Sequence, residues 1–172
     1  GTVKIIRTQD MELVFNSGGL TIDTNLATIN HTDGACLGGT ISENSYVAPD
    51  GSVHPYRICT FTLDRINLGP AVVVTIKGDA ALSLRTRNHG EITIATDLNG
   101  DGEDASNNKG GSGKLGGWDG GDPNSDGKGP GKGKDRTLNN FGGGGGYGGL
   151  GLSNNLDTHG QTYGEFTISE LL

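Results

Sequence analysis

Glycine is concentrated in one stretch of this chain, and that concentration limits where a core can form. Of the 33 glycines among 172 residues, 21 lie between Gly100 and Gly151. Glycine has no side chain to bury and loses the most backbone entropy on ordering, so this stretch cannot build a conventional hydrophobic core. We therefore expect residues 16–172 to form a single β domain that carries a glycine-rich insertion at about residues 100–151.

The segment before the insertion shows the two-residue period of β-strands. Between residues 56 and 96, four short apolar runs are separated by Gly-Pro, Gly-Asp and Asn-His-Gly. Their alternating apolar residues are Val72, Val74, Ile76, Leu82, Leu84, Ile92 and Ile94. Such alternation is typical of strands with one face on a core. The predicted fold is all-β: a β-sandwich or jelly roll, with a short parallel β-solenoid as the alternative.

The first fifteen residues form a separate apolar run. Its apolar residues of one parity are Val3, Ile5, Met11, Leu13 and Phe15. A strand at a chain end is free to leave its own domain and pair with an open sheet edge of a neighbour. We interpret residues 1–15 as a candidate donor strand, with residues 163–172 in reserve.

The two cysteines, Cys36 and Cys59, form no CxxC motif and have no histidine at metal-ligand spacing. In a secreted β domain such a pair predicts one disulfide, which would contribute about 3 kcal/mol by constraining the unfolded chain. Two free thiols are the alternative. The disulfide interpretation implies export from the cell.

Two acidic loops resemble the beginning of a calcium-binding loop. "DLNGDG" at 97–102 and "DPNSDG" at 122–127 place carboxylate and amide oxygens at positions 1, 3 and 5 before a glycine. The candidate ligands are Asp97, Asn99, Asp101, Asp104, Asp122, Asn124 and Asp126. Neither loop has the carboxylate at position 12 that completes an EF-hand, and polar turns use the same residues. Calcium is the only cofactor predicted.

Aromatic residues within the glycine-rich stretch have two interpretations. Trp118 and Tyr147 could stack on the sugar rings of a surface polysaccharide or on a partner subunit. Alternatively, they fold back as anchors that pin the glycine-rich stretch to the β core, and this is the interpretation that we favour.

The net charge and the absence of certain motifs argue against several classes of function. The net charge of −7 and the pI near 4.9 argue against a nucleic-acid partner. No apolar run reaches the roughly 20 residues that span a bilayer. The sequence contains no Walker loop, GxSxG elbow or HExxH motif, so we do not expect an enzyme.

The order of segments from residue 56 to 172 resembles the glycine-rich secreted surface proteins of environmental bacteria. The residues that carry this resemblance are "FTLDRINLGPAVVVTIKGDAALSLRTRNHGEITIATDLNGDGEDASN", "GGWDGGDPNSDGKGPGKG", "GGGGGYGGLG" and "TYGEFTISELL". The resemblance implies an extracellular, surface-associated role without established chemistry. Small pilus subunits that lend a terminal strand to a neighbour are a further analogy of architecture.

Two functional hypotheses follow. The first is a structural subunit of an extracellular filament or surface layer, whose copies assemble by β-strand complementation. The second is a calcium-dependent carbohydrate-binding module.

Overall fold

The computed structural model describes residues 11–47, 51–106, 108–130 and 132–135. This part of the chain contains eight strands and no helix, so no helix in it is long and apolar enough to cross a membrane. The strands are β1 (Glu12–Asp23), β2 (Thr28–His31), β3 (Cys36–Gly38), β4 (Thr40–Val47), β5 (Val53–Leu63), β6 (Arg65–Lys77), β7 (Ala81–Thr86) and β8 (Ile92–Ile94). The prediction of an all-β fold is confirmed.

The strands form two sheets around one core. One sheet has the order β3-β2-β1-β6-β8 and the other has the order β4-β5-β7. Side chains from both sheets join a single buried cluster, whose larger members are Leu13, Leu20, Ile22, Ile29, Phe61, Leu63, Ile66, Leu68 and Val72. Two sheets that share one core in this way are consistent with a β-sandwich.

The connectivity from β5 to β8 has a feature of the solenoid alternative. Consecutive strands alternate between the two sheets, and within each sheet the next strand lies parallel to the last: β7 beside β5 and β8 beside β6. The strand in the opposite sheet thus acts as the crossover that parallel neighbours require. By contrast, β1, β2 and β3 pair antiparallel, as in a meander.

The predicted break at Gly69-Pro70 is wrong, because β6 continues through this pair. Leu68 lies opposite Phe15 and Ala71 lies opposite Ser17, so two residues of β6 face the single residue Asn16 in a β-bulge. A Cβ at Gly69 would approach the backbone of Asn16 to 3.1 Å, which explains the glycine. A bulge also accepts a proline, which has no N–H for the ladder. The chain changes sheet at Asp64 instead.

The chain divides into two compact units. The first holds the residues up to Asn44, Tyr56–Asp101 and Lys114–Gly116, and therefore most of the β core. The second holds Ser45–Pro55, Gly102–Gly113 and the chain from Gly117 onwards. The chain first passes from the core unit into the glycine-rich part of the second between Asp101 and Gly102.

Candidate functional site

The last two strands of the core unit, β7 and β8, are less well covered than the strands beside them. We call this pair the outer rung. Leu13 of β1, Ile66 of β6 and Ile92 of β8 lie side by side in register across three parallel strands. Leu13 and Ile66 are 0% exposed, whereas Ile92 is 46% exposed. We call these aligned side chains an apolar column. Its members on β1 and β6 are buried, whereas its last member, on β8, is partly exposed.

The same decline in burial occurs in the smaller sheet. Cys59 and Phe61 of β5 are fully buried, whereas their in-register partners on β7, Leu82 and Leu84, are only half-buried. Within the part of the chain that the structure describes, β7 has β5 as its single strand neighbour and β8 has β6. Both members of the outer rung are therefore edge strands among the described residues.

The backbone of β8 determines which groups face outward. The Glu91 carbonyl accepts a hydrogen bond from Ile66 N–H (3.0 Å), and Ala95 N–H donates to the Leu68 carbonyl (2.8 Å). In a parallel ladder, residues that bond to one neighbour alternate with residues that face the other side. The N–H and C=O groups of Ile92 and Ile94 therefore point away from β6, toward the side on which the described residues provide no strand.

The candidate donor segment is partly built into its own sheet. Leu13 is fully buried and Met11 packs against the core. Phe15 stacks on His31, with ring centroids 3.9 Å apart and planes 9° from parallel. Val3 and Ile5 lie outside the described residues. Any donor role is therefore confined to the residues that precede Met11.

His31, the last residue of β2, is buried. Its Nε2 lies 3.1 Å from the Ser17 carbonyl, and its Nδ1 lies 3.3 Å from the Asp33 amide nitrogen. A Cβ at Gly18 would come within 2.7 Å of Nε2, so glycine makes room for the ring. In the sequence, "NHTDG" resembles a turn. The contact between His31 and Ser17 depends on the register between β1 and β2, which the sequence does not show.

The predicted disulfide is not formed: both cysteines are free thiols. Cys36 is exposed on β3, in the larger sheet, whereas Cys59 is fully buried on β5, in the smaller sheet. A buried cysteine behaves as a small apolar side chain. Burial raises the pKa of the Cys59 thiol, and the charge of Asp23 raises it further. Cys59 is a core residue, and the sequence did not distinguish it from a bridging cysteine.

The first acidic loop lines a pocket of about 280 Å³ in the core unit. Asn99 and Asp101 share its wall with Lys114, above apolar side chains of β6 and Leu115. Asn99 Oδ1 accepts the Asp101 N–H (2.9 Å), which is the bond of an Asx turn. Asp97 and Asp104 are exposed. The Asn99 side chain, a candidate metal ligand, therefore already accepts a hydrogen bond from the backbone of its own loop.

Carboxylates of the second acidic loop also accept hydrogen bonds from backbone N–H groups, here from other segments of the second unit. Asp122 Oδ1 accepts the Gly110 N–H (2.9 Å), and Asp126 Oδ1 accepts the Asp135 N–H (3.0 Å). Asn124 is exposed and has a positive φ of 64°. Among the residues that the structure describes, no three His, Cys, Asp or Glu side chains lie close enough together to hold a metal ion. Calcium binding stays a prediction.

The described glycine-rich residues of the second unit, within 102–135, form what we call the glycine layer. Short segments bond in series through single backbone hydrogen bonds of 2.9 to 3.0 Å: Glu103 N–H to Ser112 O, Gly120 N–H to Gly111 O, Lys128 N–H to Asp119 O, and Gly127 N–H to Gly133 O. Added Cβ atoms at Gly110, Gly111 and Gly113 would collide with carbonyl oxygens of adjoining segments. Glycine is therefore required for the spacing of the layer.

Asp119 holds the layer together, and sequence reasoning did not select it. Its Oδ1 accepts the Gly113 N–H (2.9 Å) and its Oδ2 pairs with Lys128 Nζ (3.0 Å). The hydrogen bond from Gly113 and then the Lys128 ammonium lower the pKa of this carboxyl. The sequence feature that could have identified it is its position between Trp118 and Gly120.

Trp118 packs inside the second unit. Its indole ring lies edge-on to His54, with centroids 5.3 Å apart, and a Cβ at Gly129 would collide with the ring. Trp118 is half-buried. These contacts lie within the second unit, and Tyr147, the other candidate for stacking, lies outside the described residues.

Comparison of the chain with protein-family models, with curated proteins and with solved structures yields no match. The features of the molecule that bear on function are therefore the outer rung, the acidic loops and the glycine layer.

Proposed function

We propose that the chain is a structural subunit of an extracellular filament or surface layer, whose copies join by β-strand pairing at the outer rung. The observation that supports this most is the change in exposure along one register position, from 0% at Leu13 and Ile66 to 46% at Ile92. An added strand with an apolar side chain at this position would extend the column and cover Ile92. The proposal assigns no catalytic step to the chain.

The chemistry of β8 also favours a strand partner. Natural proteins protect exposed edges with lysine, proline or a bulge on the edge strand. The edge here reads Ile-Thr-Ile and has no lysine, proline or bulge, although a strand of three residues is itself short for an edge. It offers backbone donors and acceptors beside apolar side chains, which is the combination that β-strand addition uses for affinity and for register.

The extracellular location depends on the resemblance to glycine-rich surface proteins. The cysteine pair no longer supports export, because neither thiol is in a disulfide. The glycine layer fits a structural role, since its hydrogen bonds are mainly between main-chain groups and need no ligand.

Electron microscopy of an Ile92→Pro variant tests the proposal. The Ile92 N–H points away from β6, so proline there removes an edge donor without removing a bond of the β6–β8 ladder. Wild-type protein should form filaments or sheets in negative stain, and Ile92→Pro should leave single particles. Ile92→Val keeps the N–H and a β-branched side chain, and should assemble as the wild type does.

Two outcomes would contradict the proposal. Wild-type protein that stays a single particle at all concentrations would remove the structural role. Undiminished assembly of Ile92→Pro would show that copies join elsewhere than at β8.

A further inference from the structure

We infer that the strand added to β8 is residues 2–6 of a second copy, parallel to β8, with Val3 beside Ile92 and Ile5 beside Ile94. This inference depends on the proposed function and specifies the partner segment and its register. The alternation of Val3 and Ile5 matches that of Ile92 and Ile94, so both apolar side chains would continue the buried columns.

Charge favours this segment over the other candidate. The first nine residues carry Lys4 and Arg7 and no acidic residue, whereas the whole chain has a net charge of −7. In the proposed register Lys4 lies on the outer face, diagonal to Glu91, whose side chain is 64% exposed. Opposite charges on neighbouring strands attract.

The reserve segment at residues 163–172 fits less well. Placing Phe166 and Ile168 beside Ile92 and Ile94 would bring Glu165 directly opposite Glu91. Like charges directly opposite each other on paired strands are destabilising. The N-terminal segment avoids this repulsion.

Chain length indicates that the donor comes from another copy. Met11 lies at the level of Asp64, because the Asp64 N–H donates to the Met11 carbonyl (2.8 Å). In the proposed register, a donor from the same chain would have to cross three strand spacings and return five residues along the axis between Ile6 and Met11. That path is about 22 Å, whereas five extended residues span about 17 Å. Parallel pairing at this position is therefore out of reach within one chain.

Disulfide trapping tests the register. Adjacent parallel strands place paired Cα atoms about 4.8 Å apart, within the range that a disulfide bridges. In a Cys36→Ser background, Val3→Cys with Ile92→Cys should form a ladder of covalent multimers under mild oxidation. Each single variant should give at most dimers. Lys4→Cys with Ile92→Cys is the matched control, since residue 4 points to the opposite face and should form at least tenfold less ladder.

A charge exchange provides a second readout. Glu91→Lys should weaken assembly, and adding Lys4→Glu should restore it. Because Glu91 also pairs with Arg65 at 3.5 Å, rescue by the second substitution separates the contact between copies from the contact within one copy.

The outcomes distinguish this inference from the proposed function. A cross-link within the monomer would overturn the inference, since it would place the chain's own N-terminal segment on β8. Filaments that form without a ladder, or with equal ladders in the matched control, would overturn the donor register and leave the structural role intact. Monomers without filaments would overturn both.

Discussion

The β core and the glycine layer both hold extended backbone together, but they do so by opposite means. In the core, large side chains such as Phe61 and Ile66 are completely buried between the sheets. In the layer, segments approach so closely that a Cβ at Gly111 would collide with the Glu103 carbonyl. Large side chains stabilise the β core because they fill the space between its sheets. In the glycine layer, even a Cβ would be destabilising, because the neighbouring segments leave no room for it.

This difference has a physical basis in what each region buries. The core removes apolar surface from water, and its stability grows with the area buried. The layer has little apolar surface, so hydrogen bonds and the carboxylates of Asp119, Asp122 and Asp126 must hold it. Individual hydrogen bonds contribute only about 0.5 to 1.5 kcal/mol net. We therefore expect the layer to open more readily than the core.

Removing a core side chain should have the largest effect. Phe61→Ala should lower the free energy of unfolding by about 3 to 5 kcal/mol, because it leaves a cavity between the sheets. Chemical denaturation followed by circular dichroism measures this loss. Leu26→Ala, at a side chain that is 72% exposed, should change stability by less than about 0.5 kcal/mol. Equal effects at the two sites would contradict the assignment of the core.

The two cysteines should differ by a smaller amount. Cys59→Ser places a hydroxyl at a fully buried site and should cost about 1 to 3 kcal/mol. Cys36→Ser, at an exposed site, should cost less than about 0.5 kcal/mol. In the native protein a thiol reagent should modify Cys36 alone, and in denaturant it should modify both. Equal costs and no native labelling would instead indicate a disulfide.

Sequence reasoning located the strands of the core well, because their alternation follows directly from burial on one face. Of the residues that it placed on one face of β6, Val72 is buried, but the fully buried Ile66 and Leu68 of the same strand were not selected. It failed where the answer depends on pairing. In the sequence, the Gly69-Pro70 pair resembles a turn, but in the fold it lies opposite Asn16 in a bulge. Phe15 was selected as a residue of the donor strand, but its ring stacks on His31 of the same chain. Register between distant segments is not visible in local composition.

The candidate site was predicted less completely for the same reason. Ile92 was assigned to a strand correctly, but the sequence does not show that β8 follows two covered strands in its sheet. Asp122 and Asp126 were selected for oxygen ligands at the right spacing. Their bonds to Gly110 and Asp135 arise from backbone segments that the fold brings to them. Spacing identifies the donor atoms, and the fold determines what they bind.

Adding one methyl group to the layer should act locally. Gly111→Ala should open the segment pairing around Glu103 and Ser112 and speed exchange of the Glu103 amide by about tenfold or more. The Asp64 amide, in the core, should be unaffected, and Trp118 fluorescence should report the change because it is the only tryptophan. Gly127→Ala is the matched control, since the nearest atom to its Cβ would lie 3.6 Å away. Similar exchange in both variants would refute the steric origin of the spacing.

The smallest expected effect is the pH dependence of the layer, through Asp119. The folded layer lowers the pKa of this carboxyl, first through the Gly113 N–H and then through Lys128. A lowered folded-state pKa means that the ionised group stabilises the layer at every pH above its unfolded value. The stabilisation should then disappear as the pH falls through the lowered value. The Gly113 amide resonance and its exchange rate should follow this titration. Asp119→Asn keeps an oxygen acceptor for Gly113 without a charge, so the acid transition at Gly113 should disappear in that variant. An unchanged transition would assign the titration to another carboxylate and remove Asp119 from its role in holding the layer.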